Sequence, residues 1–258
     1  MDRSQRLRHL RRIIGSGHEA APPPRPPAST GLDGLDRALG GGIARGQLHE
    51  LLAEAPEHAA AALAMAAILG RNLGGALVWL REEAAECRLR LHGPGLAQIG
   101  CDPGGLLLAT LPDSDAVLRA GADVLRCPDA GVAVIELWRN PRKLDLTATR
   151  RFQLAAEASG VTALLLRIDA EPAPGAATTR LAVRSLAARP LGGNAPGFPA
   201  FELELLRHRG GGRGLWRAEW DRDSGRFSAI GDAALSGAAL PASSDGAAAD
   251  ILPLRRAG

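Results

Sequence analysis

From Thr30 onward the chain repeats one pattern: a short run of nearly all-apolar residues, then a longer amphipathic segment, then another apolar run. Such runs lie at 76–80, 106–110, 132–137 and 161–168, with a less uniform one at 47–52. Strands this apolar need cover on both faces, which is the condition of a parallel sheet held between layers of helix. The segments between them predict helices over 56–69, 84–91, 114–126 and 147–158. Beyond the Pro/Gly-rich loop at 171–176 the pattern shifts to strands at 179–186, 201–206, 215–220 and 226–228, joined by Gly-rich turns such as 209–214. That layout predicts an antiparallel extension of the sheet. The expected fold class is α/β: a mostly parallel sheet flanked by helices, with an antiparallel C-terminal extension and flexible tails.

The 258 residues, 46% of them hydrophobic, suffice for one domain of this kind with tails at either end. Residues 1–14 form a basic amphipathic segment in which Leu7, Leu10 and Ile14 fall at helical spacing among arginines. Two readings stand for it: a surface helix packed on the domain, or a docking element using Leu7, Leu10, Arg11 and Ile14. Residues 15–29 follow as a linker, stiffened by five prolines between 21 and 29. The domain is expected over 30–230. From 231 to 258 the chain is rich in Ala, Gly, Ser and Pro, which predicts disorder, and 251–256 (ILPLRR) reads as a docking peptide or as plain tail. No run approaches the length of a bilayer span and no apolar signal segment follows the basic N-terminus. A soluble cytoplasmic protein is the expectation.

Lys143 is the single lysine, so any lysine chemistry must use it; the other basic residues, bar the six histidines, are arginines, which suit contact surfaces better than general-base work. A formal net charge of +3 does not by itself demand nucleic acid. Cys87, Cys101 and Cys127 give neither a disulfide framework nor a C-x-x-C knuckle. His49-Glu50 begins like H-E-x-x-H, but the fifth position is Ala53, which argues against a zinc hydrolase. No cofactor and no metal are expected.

Residues 29–54, STGLDGLDRALGGGIARGQLHELLAE, carry the most specific signal. Thr30-Gly31, Leu35-Asp36, Leu39-Gly40-Gly41-Gly42-Ile43 and Gly46 match in order and spacing the segment leading into the first strand of RecA-type ATPase cores, which this region resembles. Glu50 takes the acidic position before the phosphate loop. An active member would continue G-x-x-x-x-G-K-[ST], with backbone N–H groups cradling phosphate, lysine on the terminal phosphates and the hydroxyl on Mg²⁺. Here the chain reads Ala53-Glu54-Ala55-Pro56-Glu57-His58-Ala59-Ala60. Both glycines, the lysine and the hydroxyl are missing, and Glu54 and Glu57 would repel a triphosphate. Glu136 stands where the resemblance implies a Mg²⁺-supporting aspartate. Glu82 and Glu83 lie near the place of a water-activating glutamate, or simply begin a solvated helix. Glu54, Pro56, Glu57, His58, Ala59, Ala60, Glu82 and Glu136 thus mark a vestigial nucleotide site, with no catalytic residue assigned.

With the Pro-rich linker and the run VIELWRNPRKLDLTATRRFQLAAEASGVTALLLR, the emptied loop makes residues 29–230 most similar to the ImuA family in its alphaproteobacterial form. That resemblance implies a noncatalytic RecA-like accessory of SOS-induced, error-prone translesion synthesis. Its implied partners are ImuB, a Y-family-like protein, and an error-prone replicative-type DNA polymerase, with RecA as a further candidate. Arg139, Arg142, Lys143, Arg150 and Arg151 form a basic cluster, and Arg180 and Arg184 a second. These read as a single-stranded DNA contact, a protein contact, or charge for solubility; aromatics for stacking bases are scarce at 3% of the chain. A divergent RecA-type ATPase and a stand-alone DNA-binding module remain as alternatives.

Overall fold

The structure is a computed structural model in which residues 25–188 and 197–230 are described. The segment 1–14 with Leu7, Leu10, Arg11 and Ile14, most of the linker, and the tail 231–258 lie outside the described residues. In chain order the elements are α1 (Asp33–Ala38), β1 (Leu48–Ala53), α2 (Ala59–Leu73), β2 (Ala76–Glu82), α3 (Glu83–Arg88), α4 (Gly93–Gln98) and β3 (Leu106–Leu111). They continue with α5 (Ser114–Val124), β4 (Ala130–Trp138), α6 (Leu146–Ser159), β5 (Thr162–Ile168), β6 (Thr179–Leu186), β7 (Ala200–His208), β8 (Gly214–Asp221) and β9 (Arg226–Ala229).

All nine strands join one sheet in the order β3-β2-β4-β5-β1-β6-β7-β8-β9. From β3 across to β6 every neighbouring pair is parallel, and from β6 to β9 every pair is antiparallel. Alternation along the strands divides the core between two faces. One face is buried beneath α1, α2 and α4 and includes Trp79, Val134 and Leu166; the other lies beneath α5 and α6 and includes Ile135, Leu137 and Phe152. The antiparallel extension has its own aromatic knot, in which Phe227 packs edge-on against Phe201 and Trp220.

The motif before β1 is explained by hydrogen bonds rather than by ligand chemistry. Asp36 accepts from the Thr30 hydroxyl at 2.6 Å, the Thr30 N–H at 2.8 Å and the Ser29 hydroxyl at 2.5 Å, which locks α1 to the turn before it. Gly42, at φ 123°, lets the chain fold back so that Ala28 and Ile43 exchange both backbone hydrogen bonds. Ala28 is therefore buried within the domain, and the linker expected to run through residue 29 ends earlier.

Two expectations need correction. The helix expected at 56–69 is a 3-10 turn, Pro56–His58, followed by α2 out to Leu73, because Pro56 opens the turn and the apolar face runs on past Leu69. The strand at 106–110 is not fully covered on both faces: β3 is the outermost strand, where Leu106, Ala109 and Leu111 pack against the core edges but Leu107 and Leu108 are 62% and 43% exposed.

A candidate site at the carboxyl ends of the parallel strands

In open α/β sheets ligands bind beyond the carboxyl ends of the strands, and most of the residues marked in the sequence gather there. Pro56, Glu57, Ala59 and Ala60 line a cavity of about 510 Å³ together with Arg88, Leu89, Trp138, Arg139 and Asp169. A larger hollow of about 730 Å³ lies at the opposite end of the strands, edged by Gly74, Gly131 and Gly160, where none of these residues reach.

The β1–α2 connection is tied to the sheet by its own side chains. The His58 ring Nδ1 lies 3.1 Å from the Ser185 hydroxyl and 3.3 Å from the Ser185 backbone nitrogen, and that hydroxyl donates to the Glu57 carbonyl. Glu54 accepts from Arg184 at 2.7 Å, while Arg184 also reaches Glu202 and Glu204. Burial opposes the Arg184 charge, but its hydrogen bonds to Glu54 and Glu204, together with the negative charge of those carboxylates, outweigh burial and hold the group above the usual arginine range. Arg184, offered by the sequence as a DNA or partner contact, braces the β1–α2 turn against β7.

Behind the cavity lies a buried polar network. Glu136 accepts from Trp79 Nε1 at 2.8 Å, Trp138 Nε1 at 2.9 Å and Arg81 at 2.9 Å, and neither the Arg81 nor the Glu136 side chain exposes any surface. Arg81 also donates to Glu86 at 2.7 Å and to the Leu89 carbonyl at 2.6 Å, so one guanidinium pins α3 and its exit to β2. This sets Arg88 over the Trp138 ring at 5.0 Å, as the cavity's roof. Glu82 closes β2 half-buried, its carboxyl pushed above the ordinary range by burial, against a hydrogen bond from the Trp138 backbone.

The opposite face of the sheet repeats the device. Glu50 on β1 accepts from Arg167 on β5 at 2.9 Å and from Arg180 on β6 at 2.8 Å. Arg180, expected as a DNA or partner contact, is only 12% exposed and serves this buried triad instead. Asn140 accepts from Arg167, tying the loop after β4 to the same group. At the ends of β4 and β5, Arg139 and Asp169 both take the left-handed conformation, with φ of 62° and 53°, and pair at 3.5 Å. Lys143 is held by Asp115. Of the first basic cluster, Arg142, Arg150 and Arg151 are exposed and make no ion pair among the described residues.

Sequence reasoning missed Arg81 and Arg167 and the network each builds. The signal was a charge inside an otherwise apolar strand, which must find a partner across the sheet.

The layered sheet, parallel through β6 and antiparallel beyond, defines the RecA-like class of α/β folds. No protein-family model matches the chain, and no curated protein matches it in sequence. Among solved structures, the crystal structure of the RadB recombinase is similar, with a TM-score of 0.55 and 16% sequence identity over 76% of this chain and 96% of that chain.

Such a fold implies a nucleotide with Mg²⁺, and the residues here do not fit one. Pro56 removes a backbone donor from the turn, Glu54 is committed to Arg184, and Glu136 is sealed behind Trp138 with both oxygens engaged. Among the described residues no group of three or more His, Cys, Asp or Glu could hold a metal ion, and no helix is long and apolar enough to cross a membrane.

Proposed function

We propose that this chain is a noncatalytic RecA-like accessory protein of the ImuA type, acting through protein contacts in error-prone, SOS-induced translesion DNA synthesis in the cytoplasm. The observation that carries this reading is the Arg81–Glu136 pair with its two indole donors. The resemblance implies that Glu136 stands where a RecA-type core carries its Mg²⁺-supporting acid, and here both of its oxygens accept from protein groups. The partners are those the resemblance at residues 29–54 and 134–167 implies: an ImuB-type Y-family-like protein and an error-prone replicative-type polymerase, with RecA as a further candidate.

The test is light scattering after size exclusion on the full chain mixed with the ImuB-type protein of the same organism. A stable complex supports the reading. Its absence at micromolar concentrations overturns the partnership and leaves the resemblance as one of ancestry. Repeating the experiment without residues 1–24 and then without 231–258 locates the contact, the first cut being placed to spare Ala28 and its pairing with Ile43.

A further inference from the structure

Helix α6 turns Thr149, Phe152, Gln153 and Ala156 to the sheet. Its outer side carries Leu146 and Leu154, which are 55% and 53% exposed; only Leu107 and Leu108 on β3 join them as exposed large apolar side chains among the described residues. At about 100° and 1.5 Å per residue, Leu146, Arg150 and Leu154 fall on one stripe roughly 12 Å long, with Thr147 and Arg151 along its flank. Arg142, in the loop leading into α6, is likewise exposed. These three arginines have no carboxylate partner among the described residues, while the neighbouring Lys143 has Asp115.

A solvated helix face needs no leucines, and a phosphate-tracking face gains nothing from them. A nucleic acid laid on this stripe would find charge but no aromatic ring to stack on, since Phe152, the one aromatic of α6, is buried. Apolar anchors two turns apart with uncompensated cations between and beside them are complementary to a different ligand: a helix with its own apolar stripe flanked by carboxylates. We propose that the outer face of α6 docks an acidic amphipathic helix of a partner protein, whose apolar residues seat on Leu146 and Leu154 and whose carboxylates meet Arg142, Arg150 and Arg151. The proposal rests on reading this chain as a protein-contact scaffold, and it can be tested without the particular partner.

The probe is a fluorescein-labelled peptide of about 18 residues with leucines on one helical stripe and glutamates beside it, titrated with the full chain by anisotropy at low salt. A peptide of the same composition with its leucines scattered around the helix, and an oligothymidylate of about 20 nucleotides, are the controls. The expected result is a Kd in the tens of micromolar for the patterned peptide and about tenfold weaker binding of the scattered one. Leu146→Gln with Leu154→Gln, which changes no charge and preserves helix propensity, is expected to weaken the patterned peptide about tenfold as well. Arg150→Glu with Arg151→Glu should remove its binding.

No binding at about 200 µM overturns the proposal, as does indifference to the glutamine pair. So does oligothymidylate binding tighter than the peptide and sensitive to the arginines alone, which would make the face a DNA contact. If the light-scattering complex forms but the peptide does not bind, this surface fails and the partnership stands. Peptide binding without that complex upholds the surface and sinks the partnership.

Discussion

Arg81 and Glu136 sit on neighbouring strands without exposed side-chain surface, so their charges are stabilised only by each other and by the groups around them. Removing one member leaves the other buried and uncompensated, which costs about 3–5 kcal/mol, whereas neutralising both forfeits much less. Arg81→Met is thus expected to lower the urea midpoint sharply. Arg81→Met with Glu136→Gln, whose amide oxygen can still accept from an indole, should recover about 2 kcal/mol of that loss. A single substitution costing under about 1 kcal/mol would show that the pair is not sealed. His49 gives the pH counterpart. Burial pushes its imidazole down from 6.5 to about 4, against a hydrogen bond to the Ala44 carbonyl, so the folded chain keeps it neutral. Between those values the unfolded chain binds a proton that the folded chain refuses. This stability is complete above pH 6.5 and is lost as pH falls toward about 4, a loss on the order of 3 kcal/mol. His49→Gln should flatten that part of the stability-against-pH curve; parallel curves for the two proteins would contradict the assignment.

At the scale of elements, the glycine run before β1 offers a graded test. A Cβ on Gly40 would meet nothing within 4 Å, while one on Gly42 would lie 2.2 Å from the Ala28 carbonyl oxygen, and both positions have positive φ. Gly40→Ala should cost about 1 kcal/mol, from backbone conformation alone. Gly42→Ala, which must also break the Ala28–Ile43 pairing, should cost at least about 2 kcal/mol more and lower the melting temperature accordingly. Equal melting temperatures would mean that the turn is not built as described. The same run shows what was legible in advance. Apolar runs bounded by turn residues placed the strands to within two residues, most tightly where both faces are buried; 161–168 became Thr162–Ile168, and 179–186 was met in full. Short α1 and α4, six residues each, are held by Asp36 and by a Pro-Gly start rather than by an apolar stripe, so periodicity did not reveal them. That residues 53–60 lack the glycines, lysine and hydroxyl of a phosphate loop could be read from the residue types. What could not be read was which arginine answers which carboxylate: Arg180 and Arg184 looked free along the chain, and only sheet order brings them to Glu50 and Glu54.

For the whole molecule, the carboxyl edge of the sheet is where a RecA-like fold would take nucleotide, and there its positive and negative side chains balance in number. Glu54, Glu57 and Asp169 line the turn and cavity with Arg88, Arg139 and Arg184, so the region presents no net cationic cradle for a triphosphate. Thermal unfolding separates this from a divergent ATPase by magnitude. A site binding ATP with Mg²⁺ at a Kd of about 50 µM would add about 2.7 kcal/mol at about 5 mM ligand. In a chain of this length that would raise the melting temperature by roughly 5–10 °C. The expected shift is under about 1 °C, and the same with ADP or without Mg²⁺. A rise of several degrees that requires Mg²⁺ would mean that the Glu54–Arg184 and His58–Ser185 contacts open to admit phosphate. Glu54→Ala would then enlarge the rise by removing a repelling carboxylate, whereas in the noncatalytic reading it only takes one of three carboxylates from Arg184 and leaves the melting temperature as indifferent to nucleotide as before.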